Sequence, residues 1–210
     1  MKVNSYVSIE CTWDDLKTAI TEGTDKELIH SGDTIPVELK NGEKVLFDVA
    51  RDESGKVFFV LHDCLDDERS MNSRNTNKGG WRDSAMRKYL NKTIYSLLPD
   101  DLQAAIAPTK IVQTIEGEQV ETEDKLFLLS YTQVFGKSRY FDEPEDTQLD
   151  IFKTERSRVK ECADHGTWWW WLRSPTSSFS TYFRYVHSNG FSINYNAYNS
   201  SGVAFGFCLI

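Results

Sequence analysis

A helical pattern of apolar and polar positions follows the first dozen residues. The apolar residues that recur at helical spacing are Trp13, Leu16, Ala19 and Ile20. Such spacing brings side chains onto one face of a helix. Thr12 followed by Asp15 predicts a capping arrangement at the start, and Gly23 predicts the end. We therefore predict a short amphipathic helix, which with its lead-in forms a small N-terminal lobe over residues 1–33.

From Thr34 the pattern changes to short runs rich in β-branched and aromatic residues. The runs are Thr34–Leu39, Lys44–Ala50 and Lys56–His62. Asn41-Gly42 separates the first two runs, and a polar stretch ending at Gly55 separates the second and third. Both separators have the residue types of tight turns. The pattern predicts a meander of three antiparallel strands.

Helical spacing returns after a long polar stretch. Residues 63–80 show no periodicity and are predicted to be a loop. Apolar residues over Trp81–Asn91 and over Leu98–Ile106 then fall on one helical face each, which predicts two helices. Lys110–Ile115 and Lys125–Ser130 are predicted to be strands around a turn at Gly117.

The charged stretch 136–164 has no regular pattern and is predicted to be an irregular insertion. Strands and helices therefore occur in separate runs along the chain, and this order is typical of the α+β class. We assign residues 34–210 to one α+β domain.

Four consecutive tryptophans, Trp168–Trp171, precede Leu172. Because neighbouring side chains in a strand point to opposite faces, a strand here buries aromatic surface on both faces. We expect it to lie centrally in a sheet. Core packing is the favoured interpretation of these rings, ahead of a platform for a ligand.

The tail, defined as Thr167–Ile210, differs from the rest of the chain in charge and aromatic content. It contains only two charged residues, Arg173 and Arg184, and none of the 32 acidic residues of the chain. It also holds 13 of the 27 aromatic residues within 44 positions. From Thr176 to Ser201, which we call the surface segment, Ser, Thr, Asn, Tyr, Phe and Gly predominate. Binding loops of antibodies use this composition.

Two interpretations of the surface segment remain open on composition alone: a recognition surface, or the Ser/Asn-rich outer face of hairpins whose rings point inward. Position helps to divide the residues. We predict that the core-facing ones in the tail are Phe183, Val186, Val203, Phe205 and Phe207. Aromatic residues that lie among Ser, Asn and Gly, and that we predict to form an exposed patch, are Phe179, Tyr182, Tyr185, Phe191, Tyr195 and Tyr198.

Three blocks carry a resemblance to known families: Gly79–Asn91, Trp170–Pro175 and Gly202–Phe207. Together they resemble a bacterial and phage domain family of uncharacterised function. The C-terminal portion resembles the C-type-lectin-like fold of the formylglycine-generating-enzyme type. A Trp-Leu-Arg-Ser-Pro strand, an Asn/Ser/Tyr-rich stretch and a Gly-Val-x-x-Gly-Phe ending resemble the variable proteins of diversity-generating retroelements.

In such systems a reverse transcriptase copies a template repeat while randomising its adenines, so the resemblance implies a hypervariable region at about 167–210 that binds a ligand. Asn codons are the main targets. The positions implied to form the variable surface are Thr176, Phe179, Thr181, Tyr182, Tyr185, His187, Phe191, Ile193, Asn194, Tyr195, Asn196, Tyr198 and Asn199. Among these, we expect Tyr182, Tyr185, Phe191, Tyr195 and Tyr198 to be the aromatic anchors. The resemblance favours the recognition interpretation.

Other kinds of chemistry have weaker support. The net charge of −8 disfavours a nucleic-acid partner, which requires a basic face. Cys162-Ala163-Asp164-His165 has only half of a zinc-site spacing, so no metal ion is predicted. The acidic run Asp142–Asp146 is predicted to be a solvated loop. The four cysteines are predicted to be buried or free, Cys208 as a packed apolar side chain. No nucleophile, base and orienting group recur together, so we predict no catalytic residues and no cofactor.

The expected partner is therefore a protein or a cell-surface ligand of unknown identity, and the oligomeric state stays open. The sequence shows no apolar run of membrane-spanning length and no secretory signal at Met1–Tyr6. We expect synthesis in the cytoplasm, with carriage on a phage or prophage particle as an open alternative. Two other functions also stay open: an oxidase of the formylglycine-generating type, dependent on Cys208 or Cys162, and a structural module of a phage particle.

Overall fold

A computed structural model describes residues 11–210 except 140, 142, 145 and 164. Residues 1–10 of the predicted lobe therefore lie outside the described residues, as do Asp142, Glu145 and Asp164. In chain order the helices are α1 (Trp13–Glu22), α2 (Gly80–Asp83), α3 (Ala85–Tyr89), α4 (Tyr95–Leu97), α5 (Asp100–Ala105) and α6 (Tyr131–Phe135). A π-helical turn at Leu90–Ile94 joins α3 to α4.

The strands of the described residues are all short. In chain order they are β1 (Thr34–Glu38), β2 (Lys44–Arg51), β3 (Val57–Leu61), β4 (Arg69–Ser70), β5 (Thr109–Ile115), β6 (Glu118–Asp124), β7 (Phe127–Leu128), β8 (Lys160–Cys162), β9 (Gly166–Trp168), β10 (Trp170–Pro175), β11 (Tyr182–Val186), β12 (Ser192–Asn196), β13 (Ser200–Ser201) and β14 (Phe205–Cys208). The mixture of helices and small antiparallel sheets confirms the coarse α+β prediction.

Helix α1 forms as predicted. Thr12 and Asp15 make both hydrogen bonds of a capping box, and the helix ends at Gly23 in a left-handed conformation. Trp13 packs edge-on against Phe59 and Phe207. The helix therefore packs on the hydrophobic core formed by the largest sheet.

The largest sheet has five strands in the order β1-β2-β3-β14-β7, each pair antiparallel. The predicted meander β1–β3 is confirmed. The C-terminal strand β14 lies between β3 and β7 and pairs Phe207 with Phe59, whose rings stack at 5.1 Å. Insertion of β14 beside β3 ties the end of the tail to the first part of the domain.

Two predictions in the middle of the chain need correction. Strand β5 pairs with β6 and not with Lys125–Ser130, and the connecting turn is Glu116-Gly117, both with positive φ. Such a turn matches the twist of a tight hairpin and favours glycine at its second position. The predicted helix over Trp81–Asn91 is broken: Ser84 is extended, ends α2, and caps α3 by accepting from the Arg87 amide.

The tail forms a separate three-stranded antiparallel sheet in the order β10-β11-β12. Strand β10 buries both of its faces as expected, but it lies at the edge of this sheet, so the prediction of a central position is wrong. Irregular backbone covers that edge, because the Trp171 amide donates to Gly202 and the Arg173 amide donates to Leu129. These bonds satisfy backbone groups that a neighbouring strand would otherwise pair.

Candidate functional site

The three-stranded sheet and its connecting turns contain all the positions predicted to vary. One turn joins β10 to β11 over residues 176–181, and a second joins β11 to β12 over residues 187–191. A third follows β12 and reaches β13. The sheet with these three turns is the candidate recognition site.

Strand geometry divides the predicted set between two faces of the sheet. In the β11–β12 register Tyr185 lies opposite Ile193, and Arg184 lies opposite Asn194. Because successive side chains alternate, Tyr185, Ile193 and Tyr195 share the first face. The residues on the second face are Tyr182, Arg184, Val186, Ser192, Asn194 and Asn196. The predicted residues therefore do not form one contiguous surface.

The first face packs against the tryptophans that precede β11. The Tyr185 ring lies 5.4 Å from the ring of Trp169 and 6.1 Å from that of Trp171. Tyr195 contacts the same two rings. Tyr185 is only 4% exposed, and burial raises its pKa. The prediction that Tyr185 is an exposed anchor is therefore wrong, and half-buried Tyr195 presents only part of its ring.

The second face is more polar, and apart from buried Val186 its side chains are half-buried. The hydroxyl of Thr176 donates to the Asn194 side-chain oxygen at 3.0 Å. Thr176 itself is buried, so its predicted place on the surface is also wrong. The Arg184 guanidinium lies 4.9 Å from the Phe141 ring centre, and burial lowers its pKa. This face is anchored to residues outside the tail.

Exposed apolar side chains lie mainly at the turns. The large ones in the surface segment are Phe179 (54% exposed), Tyr198 (52%), Phe191 (50%) and Ile193 (45%). The first three belong to three different turns, while Ile193 projects from β12. The other predicted positions in and beside these turns, Thr181, His187 and Asn199, are half-buried. The exposed surface therefore consists of three separate aromatic rings, each on a different turn of the sheet, together with Ile193 on β12.

Part of the predicted loop 63–80 supports these turns. The side-chain amide nitrogen of Asn77 lies within hydrogen-bonding distance of three backbone oxygens, those of Thr176 (3.0 Å), Phe179 (2.8 Å) and Tyr182 (2.8 Å). Nearby, the Asn75 amide donates to the Asn196 side chain at 2.9 Å. Sequence reasoning missed this role, because a single Asn in a polar stretch carries no signal of a distant partner.

The Trp-Leu-Arg-Ser-Pro strand β10 is buried up to Ser174 and forms hydrogen bonds through its side chains. The Trp170 and Trp171 indole groups donate to the Arg158 and Arg69 carbonyl oxygens at 2.9 Å and 2.8 Å. Arg173 donates to the Leu128 carbonyl and pairs with Asp146. This strand is a structural support for the site, in agreement with the predicted core role of the tryptophans there.

The acidic run is not the solvated loop that was predicted, at least for its described members. Glu143 is buried and accepts hydrogen bonds from the Thr132 amide and hydroxyl and from the Ser174 hydroxyl. Burial raises the pKa of Glu143, and the nearby Arg173 charge opposes this shift. Asp146 pairs with Arg173. Both carboxylates bind side chains of β10, Glu143 that of Ser174 and Asp146 that of Arg173.

A cavity of about 460 Å³ opens between the first turn of the surface segment and the β5–β6 hairpin. Its walls include Gly79, Gln113, Glu143, Thr176 and Ser180. The supporting part of the chain and the surface segment thus contribute to the same concave region. Its size is within the range of small-molecule sites.

The cysteines considered for catalysis or metal binding lie outside the surface segment. Among the described residues no three His, Cys, Asp or Glu side chains group as metal ligands do. Cys208 is fully buried in β14, and burial raises its pKa to about 12. A side chain with no solvent exposure does not meet a substrate, which argues against Cys208 as a nucleophile. Cys64 and Cys162 are free thiols that lie close together.

Helices of membrane-spanning length and apolarity are absent from the part of the chain that the structure describes. A family model described as "Domain of unknown function (DUF6273)" matches residues 55–209, well over half of the chain. No curated protein matches the chain, and no solved structure does. The match includes the surface segment together with the supporting residues around Asn77 and Glu143.

Proposed function

The chain belongs to the DUF6273 family, and from the geometry of its tail we propose that it is a binding protein whose surface segment recognises a ligand. The observation that carries this proposal is the exposure of Phe179, Phe191 and Tyr198 on three turns of one small sheet. Aromatic residues are enriched at the contact surfaces of interacting proteins, and these three rings lie on turns of the same nearly uncharged segment. We propose no catalytic role and no cofactor for this surface.

Rigid support strengthens the proposal. Binding orders side chains and loops, and this cost falls when the free protein already holds them in place. Asn77 connects the backbone on both sides of the first turn, and Asn75 contacts the end of β12. Exposed rings on supported turns provide contact area at a low entropic cost. The partner we propose is a protein or another cell-surface ligand.

We further propose that the scaffold is C-type-lectin-like and that a retroelement diversifies its surface. The split of the tail supports this reading, because β10 is buried and specifically bonded while the following turns present rings and small polar groups. Positions that can change without disturbing the core are the exposed and half-buried ones. Apart from half-buried Tyr195, whose ring packs against Trp169 and Trp171, those in the predicted variable set are Phe179, Thr181, Tyr182, His187, Phe191, Ile193, Asn194, Asn196, Tyr198 and Asn199. Carriage on a phage particle belongs to the same proposal.

The DNA beside the coding region tests diversification. We expect a near-copy of the stretch that encodes Thr167–Ile210, next to a reverse transcriptase gene. Differences between the copies should fall at adenines and in codons of exposed positions, and the codons of Trp170–Pro175 should be unchanged. A flanking region without such a copy contradicts diversification, and so do differences concentrated in the β10 codons.

Recognition itself needs a separate test, because a surface can bind a ligand without being diversified. The chain and a Phe179→Ala/Phe191→Ala/Tyr198→Ala variant are compared for binding to intact bacterial cells that the parent chain labels. Loss of labelling by a folded variant supports the recognition surface. Unchanged labelling contradicts it, as does a stable oligomer of the chain that buries the three rings.

A further inference from the structure

Two cysteines far apart in sequence, Cys64 and Cys162, lie close together next to Gly202 of the tail. Cys64 follows β3, and Cys162 ends β8. The Cys64 amide donates to the Glu161 carbonyl at 2.9 Å, and the Glu161 amide donates to the Asp63 carboxylate at 2.8 Å. These bonds hold the two cysteine-bearing segments side by side.

Gly202 allows the two sulfur atoms to converge. A Cβ atom placed on Gly202 would lie 2.5 Å from the Cys64 Sγ and 2.6 Å from the Cys162 Sγ. The two sulfurs are therefore at most about 5 Å apart. Any side chain at position 202 would occupy the space where they meet. Glycine is required here by close approach.

Lys160 and the burial of the pair act in opposite directions on the Cys64 pKa, and the net effect raises it. Lys160 and Cys162 are two residues apart on β8, so their side chains share its buried face. The Lys160 ammonium donates to the His62 carbonyl at 2.9 Å and also contacts that of Leu61, and its positive charge opposes the rise in the Cys64 pKa. A nearby cation stabilises a thiolate. The hydrogen bond to Cys162, and then burial, raise the pKa of Cys64.

We propose that Cys64 and Cys162 form an oxidation site, at which a peroxide converts the two thiols into a disulfide. Cys64 is half-buried and Cys162 is buried, so the oxidant meets Cys64 first. The Cys64 sulfur attacks one peroxide oxygen, the O–O bond breaks, and the thiol proton leaves with the other oxygen as water. The product is a sulfenic acid on Cys64.

In the second step the Cys162 sulfur attacks the Cys64 sulfur. The S–O bond breaks, and the hydroxyl group leaves as water with the Cys162 proton. In total two thiols and one peroxide give one disulfide and two waters: the sulfurs lose two electrons and the peroxide oxygens gain them. Because the raised pKa keeps Cys64 protonated, the reaction should accelerate as pH rises above neutral.

The disulfide would restrain the backbone next to the start of β10, which supports the candidate site. Gly202 donates its amide proton to the Trp169 carbonyl and accepts from the Trp171 amide, so it connects the sulfur pair directly to the start of β10. A covalent bond between the segment that follows β3 and the end of β8 restrains this region in the folded and unfolded chain. The inference concerns the support and holds whether or not the surface segment binds a ligand.

Intact-mass and peptide mapping of the full chain test the proposal. The reduced protein is treated with hydrogen peroxide, and remaining thiols are blocked with N-ethylmaleimide. We expect two blocked cysteines instead of four, a mass loss of two hydrogens in the bonded pair, and one linked peptide joining Cys64 to Cys162. A linked pair containing Cys11 or Cys208 overturns the proposal, and so does a chain that keeps four blockable thiols or accumulates only sulfinic acid.

Substitutions provide an independent control. Cys64→Ser and Cys162→Ser should each abolish the intramolecular link, whereas Cys11→Ser should leave it intact because Cys11 lies outside the pair. The mapping of the unchanged chain decides the matter if a serine variant fails to fold. Oxidation should raise the melting temperature of the parent and of Cys11→Ser, and dithiothreitol should reverse the rise. The Cys64→Ser and Cys162→Ser variants should show no such rise. Linking at the same rate at pH 7 and pH 9 would contradict the role assigned to Cys64.

Discussion

Strand β10 and the surface segment that follows it are adjacent in sequence and both are rich in aromatic residues. They differ in how far their aromatic side chains are buried. In β10 the Trp170 and Trp171 rings are fully buried, and each indole nitrogen donates to a backbone oxygen. In the surface segment Phe179 and Phe191 expose about half of their surface. Aromatic content alone therefore does not distinguish a core from a surface. The packing around each ring does: the β10 indoles are enclosed by the core, whereas Phe179 and Phe191 face water.

The two arginines of the tail show the same contrast. Arg173 is 1% exposed, donates to the Leu128 carbonyl and the Gln133 side chain, and pairs with Asp146. Arg184 is half-buried and rests near the Phe141 and Tyr131 rings, without a carboxylate partner among the described residues. One arginine organises the interior, and the other covers aromatic surface.

The largest expected effect comes from removing the interior arginine. Arg173→Met leaves Asp146 and the Gln133 oxygen without their partner, and breaking a buried pair costs about 3–5 kcal/mol. Arg184→Met keeps an apolar side chain against the rings and should cost less than about 1 kcal/mol. Urea unfolding of both variants measures the difference. Equal losses would show that β10 and β11 do not differ as the structure indicates.

Local sequence signals were sufficient for the first part of the fold. The capping residues of α1 and the Asn41-Gly42 turn act within a few positions of the elements they define. Strand β6 carried no such signal, because most of its residues are exposed or half-buried and it lacks an apolar alternation. Its pairing depends on the Glu116-Gly117 turn, where a non-glycine residue has positive φ. The sequence pattern does not indicate that conformation.

A second prediction concerns the support of the first turn. Asn77→Ala removes the amide that bridges the backbone oxygens of Thr176, Phe179 and Tyr182. We expect a loss of about 1–2 kcal/mol in the free energy of unfolding, because partly buried acceptors lose their donor. Hydrogen exchange over residues 176–182 should accelerate.

The matched control is Asn75→Ala. Asn75 is exposed and makes one side-chain bond, to Asn196, so its loss should stay within about 0.5 kcal/mol. Exchange in the first turn should stay at the parent rate in this variant. If the Asn77 variant exchanges there as slowly as the parent, the turn does not depend on this amide.

The candidate site was predictable as a segment but not as a surface. Composition and resemblance identified the tail, and the predicted core residues Phe183, Val186, Val203, Phe205 and Phe207 are all buried. The error at Tyr185 arose because the covered face of β11 depends on Trp169, which precedes β10, and on Trp171 within β10. The register and the covering partner are tertiary properties. Glu143 was misassigned for the same reason, since its partner Ser174 lies 31 residues away.

The smallest expected change in stability concerns the exposed rings. Phe179→Ala, Phe191→Ala and Tyr198→Ala should each alter the free energy of unfolding by no more than about 0.5 kcal/mol, because these rings already contact water in the folded chain. Tyr185→Ala is the matched buried change and should cost about 3–5 kcal/mol through the cavity it leaves. Thermal and urea unfolding measure all four. A substantial loss from any exposed ring would mean that it belongs to the core, and the surface segment would then have one fewer residue with which to bind.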